Sequence, residues 1–150
     1  MTRLLFVMRH GDAEPEAASD FERRLTDAGR EQVVLRSRAL RQRGVLPELI
    51  VSSPLLRARE TAGLVNRTLG IPGDFTVSND IVPEGDCERV ALQLFGENET
   101  VMLVTHQPFA SRFVHYMTGE DVSMTTAAIA CISVAQSAPD AGKLEWLLAE

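Results

Sequence analysis

Lysine is almost absent from this 150-residue chain: Lys143 is the only one, against 14 arginines. Cysteine is limited to Cys87 and Cys131, too few for a disulfide scaffold and without the spacing of a metal site or a redox pair. Two reduced thiols in a cytoplasmic protein are therefore expected. Aromatic side chains make up only 5% of the sequence. No apolar run approaches the length of a membrane span, and the early run Leu4–Met8 stops at Arg9-His10, too short for a signal-peptide core. Repeats, low-complexity tracts and linkers are also missing. The formal charge of -6 argues against a general binder of nucleic acid or of anionic membranes.

What is present is an ordinary globular composition, 45% hydrophobic and 24% charged, in a length that suits one domain over residues 1–150 with a sizeable core. The charge is unevenly placed. Residues 1–67 carry a net +3, their bases all arginine, while residues 68–150 carry -9. Arginine is the side chain best suited to forked contacts with phosphate, so an acidic chain can still own a local anion site.

The apolar pattern predicts strands over Leu4–Met8, Glu48–Val51, Phe75–Val77, Val101–Thr105, Ala127–Ala135 and Leu144–Leu148. Helices are expected from the Thr26 N-cap to about Gly44, from Ser53-Pro54 to Leu69, over Asp86–Phe95 and over Pro108–Met117. Apolar strands alternating with helices imply an α/β protein with a mainly parallel sheet covered on both faces. Ligands of such sheets bind at the carboxyl ends of the strands.

Those ends carry unusual side chains. The first strand closes on Arg9-His10-Gly11, the second leads through Ser53-Pro54 to Arg57 in the first turn of a helix, and the late strand ends at Thr105-His106. Two histidines and two arginines thus meet at one sheet edge. Gly11 permits close backbone approach to a ligand. Arg57 lies at a helix N-terminus, which favours an anion and disfavours a lone cation. Imidazoles in a phosphate pocket have two natural tasks: one ring attacks phosphorus, and the other, protonated, neutralises the charge on the equatorial oxygens. An attacking histidine needs one ring nitrogen free and the other held by an acceptor, for which the backbone around Gly11 is placed.

Met8-Arg9-His10-Gly11-Asp12-Ala13, Leu25-Thr26-Asp27-Ala28-Gly29, Ser53-Pro54-Leu55-Leu56-Arg57-Ala58, Thr105-His106 and Thr125-Thr126-Ala127-Ala128-Ile129-Ala130 occur in that order along nearly the whole chain. Together they resemble the histidine phosphatase superfamily, with its phosphoglycerate mutase-like members, and within it the small SixA-type phosphohistidine phosphatases. The resemblance implies a three-layer α/β/α sandwich, a phosphohistidine intermediate on His10, and a phosphate pocket completed by Arg9, Arg57 and His106. It implies Arg23 as a further arginine near the phosphate, Gly11 as a substrate-binding residue, and catalysis without metal or other cofactor. The superfamily takes its general acid from the segment after the second helix, where Asp80 lies nearest the family position. Glu84 and Asp86 follow in that stretch, and Asp20 in the first loop is a further alternative. An imidazole leaving group relaxes the need for such an acid, because it departs neutral once its ring is protonated.

The expected function is therefore dephosphorylation of a phosphohistidine-bearing protein by a cytoplasmic, monomeric chain, with no nucleic acid and no membrane involved. A small-molecule phosphomonoesterase and a phosphate-recognising binding module are the alternatives. A short chain leaves little room for a lid, and an open site suits a phosphate displayed on a protein surface. His10, Asp12 and His106 could instead hold a metal ion, but Arg9 and Arg57 would crowd a dication with positive charge. The run Arg36, Arg38, Arg41 and Arg43 is expected on the solvated face of its helix, Trp146 in packing, and His115 at the surface.

Overall fold

The structure, a computed structural model, describes residues 2–136 and 138–149. Among the described residues six strands form one sheet: β1 (Arg3–Arg9), β2 (Leu49–Ser52), β3 (Thr76–Val77), β4 (Thr100–Thr105), β5 (Ile129–Val134) and β6 (Gly142–Leu148), in the spatial order β3-β2-β4-β1-β5-β6. β3, β2, β4 and β1 run parallel, and β5 and β6 are added antiparallel. Among the described residues the helices are α1 (Asp27–Gln42), α2 (Leu56–Leu69), α3 (Cys87–Leu92) and α4 (Phe109–Thr118), with a short 3-10 turn over Asp20–Glu22.

Alternation along the strands divides the core between the two faces. Phe6 and Met8 of β1 join Ile50, Met102 and Val104 beneath α1 and α2, contacting Val33, Leu40, Ala58, Ala62 and Val65. Leu5 and Val7 point the other way, with Val101 and Leu103, against Phe109 and Phe113 of α4 and Val90 of α3. The result is the α/β/α sandwich expected from the sequence. No helix among the described residues is long and apolar enough to cross a membrane.

Several local details differ from the sequence reading. The Thr26 hydroxyl caps α1 as expected, accepting the Gly29 N–H at 2.9 Å. α2 starts at Leu56 rather than at Pro54, because the Ser53 hydroxyl accepts the Leu55 N–H and holds the chain in a turn first. α3 ends at Leu92, short of Phe95. Arg36 is not on a solvated face: it is buried, and its guanidinium donates to the carbonyl oxygens of Leu148 at 3.0 Å and Ala127 at 3.4 Å. Arg38, Arg41 and Arg43 are exposed as expected, with Arg43 lying over the ring of Trp146 at 4.7 Å.

Because β1, β2 and β4 are parallel and adjacent in the order β2-β4-β1, their carboxyl ends lie side by side. β5 is antiparallel to β1, so its leading segment, residues 124–128, starts at that same edge.

Candidate active site

His10 follows β1 directly and is buried, with 7% of its surface exposed. Its Nδ1 lies 2.7 Å from the Gly11 carbonyl oxygen, which can only accept, so Nδ1 carries the ring proton. Nε2 is left with its lone pair and receives the Arg57 Nε–H at 3.3 Å. Burial, opposed by the Gly11 hydrogen bond and reinforced by Arg57, Arg9 and Arg23, lowers the His10 pKa to about 4. At neutral pH the ring is an uncharged base.

His106 follows β4, with its ring centroid 5.1 Å from that of His10. Its Nε2 is 2.6 Å from the Ser53 hydroxyl. Ser53 already accepts the Leu55 N–H, and where its own proton goes to Nε2 the neutral ring carries its proton on Nδ1. Burial first, then His10 and Arg57, lowers the His106 pKa to about 3, so the protonated ring expected from the sequence needs an incoming anion to form.

The arginines surround these rings. Arg57 is buried in the first turn of α2 and spends its other nitrogens on Asp20: one donates to the Asp20 carbonyl oxygen at 2.8 Å, the other to its carboxylate at 3.3 Å. Arg23 binds the second carboxylate oxygen of Asp20 at 3.0 Å and is fixed from behind by the Glu14 carbonyl at 2.6 Å. Arg9 donates to the Met124 carbonyl at 3.1 Å, a contact that the antiparallel entry into β5 makes available. Burial and the neighbouring Arg57 lower the Arg9 pKa, and burial does the same to Arg57. Two nitrogens of this cluster, Arg9 Nε and His106 Nδ1, are buried without a hydrogen-bond partner among the described residues. Buried donors without partners are costly, by roughly 1–3 kcal/mol each, and an oxyanion placed among them would supply the acceptors.

Gly11 serves a packing need. A Cβ there would come within 2.7 Å of Val33 Cγ2 and 2.9 Å of the Gly29 carbonyl, so the close approach it permits is to α1. Asp80 stands after β3, its carboxylate accepting from Gln93 at 2.9 Å and paired with Arg89 at 3.5 Å. Among the described residues, its hydrogen bonds and ion pair lead to Gln93 and Arg89 and not to the histidines. Glu84 is exposed, and Asp86 caps α3 through the Arg89 N–H. Asp20 does reach the cluster, but its pKa is lowered, by Arg23 first and then by Arg57, so it is ionised and holds no proton to donate. Asp12 accepts from the Thr26 hydroxyl at 2.9 Å. Among the described residues no three His, Cys, Asp or Glu side chains group as metal ligands.

The sequence reading did not single out Ser53 as a partner of His106, Thr61 as acceptor of the Gly11 N–H at 3.1 Å, or Gln32 as acceptor of the Asp12 N–H at 3.0 Å. Thr61 does sit one turn after Arg57 on the face of α2 that looks inward, and that spacing was its only signal.

Residues 5–78 match the model of the histidine phosphatase superfamily (branch 1). The chain is 34% identical to the phosphohistidine phosphatase SixA of Escherichia coli (strain K12), over 95% of this chain and 91% of that one. The chain belongs to the histidine phosphatase superfamily. Within the superfamily it is also 32% identical to a phosphohistidine phosphatase SixA homolog of Haemophilus influenzae, covering 84% of this chain and 85% of the relative. A solved structure of the protein histidine phosphatase SixA complexed with tungstate superposes with a TM-score of 0.90 at 32% identity, covering 97% of this chain and 96% of the other. The superfamily membership together with the homology to SixA over nearly the whole chain makes this chain a phosphatase.

Proposed function

We propose that this chain removes the phosphoryl group from phosphohistidine on a protein, by way of a phosphohistidine formed on His10. The supporting observation is the state of the His10 ring: Nδ1 is tied to Gly11, and Nε2 is unprotonated, its lone pair turned to the Arg57 guanidinium. In the first step the Nε2 lone pair forms a bond to phosphorus while the P–N bond of the substrate breaks. The departing imidazole, protonated on its other nitrogen, takes up that electron pair and leaves neutral. Arg9, Arg57, Arg23 and His106 carry the charge of the transferring oxygens, where fixed donors in a buried site are most effective. In the second step water attacks phosphorus, the P–Nε2 bond breaks, and phosphate is released with Nε2 restored.

This choice of leaving group agrees with the carboxylates around the site. Asp20 is ionised between two arginines, and Asp80 is turned to Gln93 and Arg89. An alkoxide would need a proton from such a group, and an imidazole would not. The likeness to a SixA protein solved with tungstate, a tetrahedral oxyanion, supports the same reading. The test is a substrate panel at equal concentration: a phosphohistidine-bearing protein against sugar phosphates and nucleotides. The protein substrate is expected to be hydrolysed with the higher kcat/KM by on the order of 100-fold or more, the size of a missing general-acid contribution. Equal or faster turnover of a sugar phosphate would overturn the reading.

A further inference from the structure

The peptide that holds the His10 proton is itself held from its far side. The Gly11 carbonyl, which accepts from His10 Nδ1, belongs to the same peptide plane as the Asp12 N–H. That N–H donates to Gln32 Oε1 at 3.0 Å. Gln32 stands in the second turn of α1, half-buried, and its amide is anchored at the other end: Nε2 donates to the Thr126 hydroxyl at 3.0 Å. Thr126 belongs to the same segment as Met124, whose carbonyl receives Arg9. The preceding peptide is fixed separately, by the Gly11 N–H donating to Thr61.

We infer that Gln32 is a positioning residue for the nucleophile, acting through the Gly11–Asp12 peptide. Two physical effects combine. Gln32 fixes the plane of that peptide, and with it the direction of the carbonyl that selects the His10 tautomer. By accepting the peptide N–H it also draws charge toward the carbonyl oxygen, since hydrogen bonds in series polarise one another. A stronger acceptor at Gly11 makes Nε2 more basic and a better nucleophile. Arg57 from α2, Arg9 from β1 and Arg23, which follows Asp20, oppose protonation of that ring, and the neighbouring His106 ring, 5.1 Å away between centroids, is disfavoured as a cation by His10 and Arg57 and favoured by Asp20. Gln32 acts against that group without adding a charge of its own.

The inference rests on His10 being the nucleophile, and the experiment separates the two claims. Gln32→Met keeps size and removes both hydrogen bonds, and Gln32→Glu restores an acceptor for the Asp12 N–H. Partners one shell out from a metal-bound histidine are worth 10–100-fold, so Gln32→Met is expected to lower kcat by about tenfold, with KM changed by less than about twofold. The acid limb of its pH profile should move downward, because the Gly11 hydrogen bond raises the His10 pKa. Gln32→Glu should recover kcat to within about threefold of the parent. Nitrogen-15 NMR of the His10 ring provides a readout that needs no turnover: Gln32→Met should shift the Nδ1 proton upfield, and Gln32→Glu should return it. An unchanged ring spectrum in Gln32→Met would overturn the inference. So would equal kcat losses in both variants at unchanged ring spectra, the mark of a merely structural role. If His10→Ala keeps full turnover, the nucleophile assignment fails, and the ring spectra still decide whether Gln32 governs the ring.

Discussion

His10 is a base whose two nitrogens have been made unlike, one committed to the backbone and one left unprotonated toward Arg57. The guanidinium set around it is balanced by a single acid. Asp20 bridges Arg57 and Arg23 from a largely exposed position, and it competes with any entering oxyanion for the same positive charge. Asp20→Asn removes that competing charge. It is expected to tighten inhibition by tungstate by roughly three- to tenfold, the size of one nearby charge acting on a dianion through a mostly aqueous medium. The gain should shrink with added salt. Weaker tungstate inhibition would mean that Asp20 serves instead to aim the two arginines.

Much of the site could be read from residue types. Arg9-His10-Gly11, Arg57 and His106 stand out because each follows a short apolar strand, and parallel strands bring such ends together. Arg23 is marked only by resemblance. Ser53, Thr61 and Gln32 were not legible, because a serine in a turn, a threonine on an apolar face and a glutamine on a helix are ordinary in themselves. Their roles come from hydrogen bonds between segments 20 to 53 residues apart, and no local pattern encodes those.

At the scale of the elements, caps and turns were legible where one side chain decides them. Thr26 starts α1, because only a few residue types satisfy that backbone need. The α2 start differs because the Ser53 hydroxyl forms a local turn with the Leu55 N–H, and Arg36 because tertiary contacts override a local pattern. The Arg36 guanidinium finds the carbonyls of Leu148, at the end of β6, and of Ala127, ahead of β5. Thr26 has a double duty, capping α1 and donating to Asp12, next to the peptide that holds His10. Thr26→Ala should cost about 1 kcal/mol of stability, seen as a drop of about 2–4 °C in Tm. A Tm change under half a degree would show that the cap is dispensable.

At the scale of the molecule, the acidity that first argued against anionic ligands belongs mainly to residues 68–150, while the arginines of the site come from the net-positive part. The buried histidine pair also gives the whole fold a pH dependence. Both rings have folded-state pKa values below the ordinary 6.5, about 4 for His10 and about 3 for His106. The unfolded chain therefore binds protons, starting near pH 6.5, that the folded chain refuses until about pH 4. Stability should fall as pH drops through that window, by up to about 1.4 kcal/mol per pH unit for each ring. Urea unfolding between pH 7.5 and 4.5 measures this, and His106→Asn should flatten the slope. A midpoint independent of pH over that range would contradict the buried, neutral state of the rings.

The central claim is the covalent step at His10, and trapping tests it most directly. The protein is mixed with a protein substrate carrying phosphorus-32 on histidine, quenched in alkali within the first turnover, and digested for peptide mapping. The expected result is label on the peptide holding His10, stable to base and lost in acid, and absent from His10→Ala. Label-free enzyme during active turnover, or label on any other residue, would contradict it.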